Sequence, residues 1–380
     1  MKIVIAIDSM KGSLSSIAAG EAARRGCLTA DGTAEVAVFP LADGGEGTVR
    51  ALAGEDATLV TATVTGPLGA PTVAEYAILG DNTAVIEMAA AAGLPLLRPE
   101  ERNPLYTTTF GVGELIADAL AHGCRRFLIG IGGSATCDGG AGMLQALGFG
   151  LFDQSGNPIA HGAHGLLSLH TVDTSRVPQE LFESDFHVAC DVRNPLCGAE
   201  GAAAVFAPQK GARPEDIPTL DAALAHFAAV VTGARGEDLS VVAGAGAAGG
   251  LGFALLTLLG AHLSPGVETV IDMIGLREAL RDTDLVLTGE GRLDGQTAFG
   301  KAPVGVARAA KERGIPVVAI GGSVSADATP LHGCGIDAYF PIADGPCTLA
   351  EAMNCERATK NIERTACEIT RLYLAAHHVK

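Results

Sequence analysis

Residues 126–140 read RFLIGIGGSATCDGG. An apolar run, Phe127-Leu128-Ile129, passes directly into glycine, serine and threonine and then into Asp138. Short apolar runs bounded by turn residues read as buried strands. A buried strand with a polar or glycine-rich tip is how open α/β sheets present ligand sites, at the carboxyl ends of their strands. The loop itself has two readings. Glycine lets backbone approach a phosphate closely and tolerates positive φ, and a helix after Gly140 would aim N–H groups at an anion. Alternatively the loop is a structural turn in which Asp138 caps that helix. It is not a P-loop, because no Gly-Lys-[Ser/Thr] closes it, and it meets the dinucleotide fingerprint only loosely, with Ala135 in the last position.

The pattern recurs along the chain. KIVIAI ends at Asp8, EVAVFPL runs into Asp43 and Glu46 among glycines, FHVAC ends at Asp191, DLVLT ends at Gly289-Glu290-Gly291, and PVVAI ends at Gly321-Gly322-Ser323. Helical periodicity lies between several of these runs. Val112, Leu115, Ile116, Ala119 and Leu120 share one face, stopping at His122-Gly123, and a second helix follows Lys301 with Pro303 in its first turn. Strand and helix alternate, which predicts an α/β fold with parallel sheets. Residues 58–89 break the rhythm: alternating runs with turn signals at Gly66-Pro67 and Gly80-Asp81-Asn82 predict an antiparallel hairpin or meander. The expected organisation is a discontinuous domain, 1–60 plus 280–380, built as a doubly wound sheet. A second α/β domain with a mixed sheet, 61–279, is inserted into it and carries the glycine loop. A simple split into N- and C-terminal halves is the alternative.

Composition narrows the function. The 380 residues are 48% hydrophobic, 18% charged and 4% aromatic, without tryptophan, so small aliphatic residues build the cores. The net charge of −17, with no Lys/Arg cluster longer than two residues, argues against nucleic-acid binding. Nine scattered cysteines without a Cys-x-x-Cys pair predict a reduced, cytoplasmic protein. The five-residue apolar stretch before Asp8 is too short for a signal peptide, and the glycine-rich apolar segment Val241 to Leu263 reads as a core element, so no membrane association is expected. No His-x-x-x-His or Gly-x-Ser-x-Gly occurs, which leaves zinc chemistry and hydrolase triads without support.

The polar strand ends supply the chemistry. Asp8, Ser9, Lys11 and Ser13 precede a helix beginning near Ser15. They suit a carboxylate or a transferring phosphoryl group, or else only start that helix. Asp43 and Glu46 could take substrate hydroxyls or Mg²⁺, or form an acidic turn. Asp191 directly follows a strand read as buried, where an acid is costly unless it serves a ligand, metal or cap. Glu290, Arg292, Asp294, Gln296, Thr297 and Lys301 crowd into a stretch too polar for core, as a site or a long surface loop.

Taken together, these stretches resemble the bacterial type I glycerate kinase family. The resemblance is carried, in order, by KIVIAIDSMKGSLS, LADGGEGT, VIEMAAAAGL, RNPLYTTTFGVGELI, IGGSATCDGGAGMLQALG, VACDVRNPLCG, GAAAVFAPQKGA, GAGAAGGLG and TGEGRLDGQTAFGKAP. It is weakest over 150–185 and in the C-terminal tail, from which no site residue is taken. The resemblance implies a flavodoxin-like Rossmann domain, a second α/β domain, and an active site in the cleft between them. It implies ATP- and Mg²⁺-dependent phosphorylation of D-glycerate, at O2 to give 2-phosphoglycerate or alternatively at O3, in glyoxylate and sugar-acid breakdown, and it leaves a homodimer open. On this reading Gly132, Gly133, Ser134, Ala135 and Thr136 cradle the nucleotide's phosphates, with Gly289, Glu290 and Gly291 also on the nucleotide. Asp191 is the base or a Mg²⁺ ligand, and Asp138 faces the metal or caps the helix. Lys11, with Arg292 as the alternative cation, stabilises the transferring charge. Asp8, Ser9, Ser13, Asp43 and Glu46 bind glycerate, with metal binding as the alternative for Asp43 and Glu46.

Two other classes are weighed. A nicotinamide-dependent hydroxyacid dehydrogenase needs Gly-x-Gly-x-x-Gly after the first strand, where this chain has DSMKGS. A non-catalytic sugar-acid sensor would not need so many polar strand ends.

Overall fold

The computed structural model describes residues 1–10, 12–42, 47–53 and 57–377. Among the described residues thirteen strands are formed: β1 (Lys2–Ile7), β2 (Glu35–Val38), β3 (Thr58–Thr65), β4 (Pro71–Ile78), β5 (Thr83–Glu87), β6 (Arg126–Gly130), β7 (Gly150–Phe152), β8 (Thr171–Asp173), β9 (Asp185–Ala189), β10 (His262–Ser264), β11 (Leu285–Leu293), β12 (Val317–Val324) and β13 (Ala338–Pro341). The chain divides into two compact units, one formed by Met1–Asp43 with Val270–Lys380 and the other by Gly44–Thr269.

The first unit holds a five-stranded sheet in the order β13-β12-β11-β1-β2. Every pairing is parallel. Counted within the unit, the order is 2-1-3-4-5, that of flavodoxin-like doubly wound sheets, whose switch point lies between the first and third strands. Those strands are β1 and β11, so their carboxyl ends are the expected ligand edge. β1 is buried on both faces after Lys2, as a central parallel strand should be. Ser15 caps the helix Ser16–Ala30 by accepting the Ala18 N–H at 3.2 Å. That helix packs Ala19, Ala22, Ala23 and Cys27 with Ala358, Ile362 and Ala366 of the helix Cys355–His377. A Cβ at Gly26 would collide with the Glu363 carbonyl, so the close crossing of these helices requires glycine there.

Two glycine-rich segments read as loops are strand instead. β11 continues through Gly289, Glu290, Gly291 and Arg292 to Leu293, and β12 through Gly321 and Gly322 to Val324. The glycines here serve backbone crowding: a Cβ on Gly289 would strike the Ile320 carbonyl, and one on Gly322 the Gly291 carbonyl.

The second unit holds a six-stranded mixed sheet in the order β10-β9-β6-β5-β4-β3. β10, β9, β6 and β5 are parallel, and β3 and β4 form the antiparallel hairpin, in register from Thr58 opposite Ile78 to Thr65 opposite Pro71. The core beneath it stacks Phe127 on Phe186 at 4.7 Å between ring centroids. The helix Phe110–Ala121 buries Val112, Leu115, Ile116 and Ala119, the face its periodicity predicts. The stretch Pro214–Arg235 is long and apolar enough to cross a membrane. Its Leu220, Ala223, Leu224, Phe227 and Val231 form one stripe packed into the core, which accounts for that composition. The segment Ala247–Leu259, kinked at Ala248–Gly250 and helical beyond it, is a core element buried at nearly every position.

Candidate active site

In the second unit the loop after β6 is a built structure, pinned from several sides. Gly133 accepts the Leu94 N–H at 2.8 Å, and the Ala135 N–H donates to the Ala92 carbonyl at 2.9 Å. Thr107 Oγ1 donates to the Ala135 carbonyl at 2.9 Å. Gly133 has φ +72°, a conformation that glycine adopts freely. The Gly139 N–H donates to the Gly249 carbonyl, and a Cβ at Gly249 would collide with the Thr136 carbonyl. The two glycine-rich stretches, 130–140 and 243–252, therefore meet in space because both lack side chains at the contact.

Asp138 organises this loop from inside. It is fully buried, and its Oδ2 accepts the Thr109 N–H at 2.8 Å, the Thr109 hydroxyl at 2.9 Å and the Gly142 N–H at 3.2 Å. Oδ1 accepts the Gly140 N–H at 3.1 Å. Burial pushes its carboxyl above the ordinary aspartate range, while the donated hydrogen bonds favour the ionised form. Of the two roles left open by the sequence, the geometry supplies the cap. A metal ligand at Asp138 would have to abandon these donors and strand them in the core. The expected open helix N-terminus behind the loop is likewise closed, since Asp138 takes the N–H groups of Gly140 and Gly142.

Gly132, Gly133 and Ser134 line a cavity of about 350 Å³, a size suited to a small ligand or part of a nucleotide. Asp191, Phe206, Gln209, Lys210, Ala247 and Ala248 share its wall. Ala135 and Thr136 do not; both are buried, and the Thr136 hydroxyl has no hydrogen-bond partner among the described residues. Asp191 corrects its own premise. The strand before it is buried, but Asp191 is exposed, and its Oδ1 accepts the Gly266 N–H at 2.8 Å. No burial cost demands a ligand there. What sets it apart is its position in the wall of the cavity.

Lys210 is the residue the sequence reading passed over. It is only 2% exposed, and its ammonium donates to Ser134 Oγ and to the Thr136 carbonyl, both at 2.7 Å. Burial lowers its pKa, against the attraction of Cys137 and Asp138. It lay in view within GAAAVFAPQKGA, a lone lysine in an apolar, turn-flanked segment, and its meaning depended on a contact 76 residues away.

The first unit brings a separate set together. The Asp8 N–H donates to the Gly289 carbonyl at 2.8 Å, so Asp8 and the Gly289–Arg292 segment adjoin at the β1/β11 edge. The Ser9 N–H donates to Asp8 Oδ1 at 2.6 Å. The Ser13 hydroxyl is buried without a hydrogen-bond partner among the described residues. Glu290, 9% exposed, accepts the Thr297 hydroxyl at 2.6 Å, with Lys301 Nζ at 3.7 Å. Burial raises its carboxyl, opposed by Thr297 and Lys301. Arg292 is exposed and lies 3.4 Å from Asp294. Lys11, Asp43 and Glu46 lie outside the described residues. Among the described residues no cluster of three or more His, Cys, Asp or Glu could hold a metal ion.

The model of the glycerate kinase family matches residues 3–374. This chain belongs to the glycerate kinase family. It is 49% identical to the glycerate kinase of Bacillus subtilis strain 168, with 97% of each chain covered. It is 48% identical to the glycerate 2-kinase of Escherichia coli K12, covering 96% of this chain and 98% of that one. A crystal structure from Salmonella typhimurium LT2, described as a glycerate kinase 2, superposes with a TM-score of 0.89 at 47% identity, covering 100% of this chain and 99% of that one. Family membership makes the protein a kinase, implies the use of ATP, and makes its acceptor a small molecule.

Proposed function

We propose that the protein transfers the γ-phosphoryl group of ATP to D-glycerate at O2, giving 2-phosphoglycerate and ADP. The observation that carries the nucleotide half is the cavity where the glycine loop, a buried ammonium and an exposed carboxylate meet. Preference for O2 over O3 is supported by the 48% identity to a relative named glycerate 2-kinase.

Phosphoryl transfer asks a protein mainly for positioning and charge neutralisation. Gly132, Gly133 and Ser134 receive the phosphates, with Ala135 and Thr136 supporting the loop from behind. Asp191 takes the proton of the attacking hydroxyl or holds Mg²⁺. Its Oδ2 has no protein donor among the described residues. Mg²⁺ fits such a site, because it commonly takes one or two carboxylates together with phosphate oxygens and water. When bound it would offset charge on the phosphates. In the first unit the proposal assigns Asp8, Ser9 and Ser13 to glycerate, Arg292 to the transferring charge, and Gly289, Glu290 and Gly291 to the nucleotide. Lys11, for the transferring charge, and Asp43 and Glu46, for glycerate or metal, are assigned from sequence alone.

The test is ATP consumption dependent on D-glycerate, with phosphorus NMR of the product. A 2-phosphoglycerate signal is expected. A 3-phosphoglycerate signal overturns the O2 assignment, and no glycerate-dependent consumption overturns the substrate.

A further inference from the structure

We propose that Lys210 is a phosphate-binding residue whose buried ammonium finds its missing counter-charge in an anionic oxygen of the nucleotide. The inference rests on the nucleotide reading of the cavity and adds to it a residue that the glycine-loop motif does not contain.

The argument starts from what the ammonium lacks. A lysine presents three donors and no acceptor. Two go to Ser134 Oγ and the Thr136 carbonyl, both neutral. Among the described residues no carboxylate is within ion-pair distance of Lys210. Asp138 lies close enough to act through space, but its oxygens are committed to Thr109, Gly140 and Gly142. A buried charge left without a partner is strongly unfavourable, and such groups are normally paired. If the side chain served only to hold the loop, a neutral donor would do so without that cost.

The surroundings point the same way. Lys210 lines the cavity together with Gly132, Gly133 and Ser134. Ser134 keeps its hydroxyl proton for another acceptor while accepting from Lys210. Ala248, on the same wall, is held at φ +52°, followed by Gly249 at +69° and Gly250 at +90°. A left-handed alanine is strained, and such strain gathers at ligand sites. A compact anion touching the loop would lie beside the ammonium and draw it from an unpaired to a paired state.

Calorimetric titration of the full chain with ATP and with adenosine tests this. Wild type should bind ATP at least about 10-fold more tightly than adenosine. If it does not, the nucleotide reading itself fails, independently of Lys210. Lys210→Met should weaken ATP about 10- to 100-fold and change adenosine by less than about 3-fold, while Lys210→Arg recovers part of the ATP affinity. Unchanged ATP binding in Lys210→Met overturns the proposal, and so does equal weakening of both ligands, which is what a purely structural lysine predicts. Should the methionine variant not fold, nitrogen-15 lysine NMR of wild type decides. The most exchange-protected ammonium signal should shift on adding inorganic tripolyphosphate, and no shift at saturating ligand overturns the assignment.

Discussion

Asp138 and Asp191 both lie in loops that follow buried parallel strands of the second unit, and their carboxylates meet opposite surroundings. Asp138 follows β6, is sealed from solvent, and spends its carboxylate on Thr109, Gly140 and Gly142. Asp191 follows β9, is exposed at the cavity, and takes one backbone donor. A strand-end acid in an α/β sheet is thus not one kind of residue. Whether it builds the loop or faces the cavity depends on which backbone donors the neighbouring elements aim at it.

The sharpest way to break this contrast is Asp138→Ala. It strands the Thr109, Gly140 and Gly142 donors in the core and should cost about 3 kcal/mol or more in urea unfolding. A loss under about 1 kcal/mol would remove the structural role. Asp191→Asn should leave unfolding within about 0.5 kcal/mol of wild type and lower turnover about 10²-fold, equivalent to about 2.7 kcal/mol. Near-normal turnover would take Asp191 out of the mechanism. Ser134→Ala stands between the two, since its hydroxyl supports Lys210 and lines the cavity. It should cost about 1.5 kcal/mol, divided between stability and ATP affinity, and a silent variant would detach the loop from the ammonium.

Glu290 extends the comparison into the first unit with an intermediate burial and a smaller expected effect. Burial raises its carboxyl above the ordinary value of 4.5. The folded state therefore favours the protonated form. Its contribution is fully present below pH 4.5 and fades as pH rises through the folded-state value. Unfolding of wild type measured against Glu290→Gln from pH 4.5 upward should show wild type losing relative stability as pH rises. A difference that grows in favour of wild type with pH would mean that Thr297 and Lys301 outweigh burial.

Much of the fold was legible. Val112, Leu115, Ile116 and Ala119 share a helix face, the run Phe127–Ile129 is a buried strand, and the turn at Gly66 joins a hairpin, because each is dictated by local periodicity or turn chemistry. The glycines at 289–291 and 321–322 were misread as loop. Local sequence equates glycine with a turn, whereas here glycine answers to carbonyls on the neighbouring strand.

For the site, neighbouring residues alone show that GIGGSATCDGG follows a buried strand, that acids stand after several strands, and which family the ordered motifs resemble. Contacts between distant segments are what turn Asp138 inward and Asp191 outward, require glycine at 249 beside the Thr136 carbonyl, and bring Lys210 to Ser134. Burial and hydrogen-bond partnership are set by segments far apart in the chain. The chemistry of a carboxylate or an ammonium follows from that environment as much as from the side chain itself.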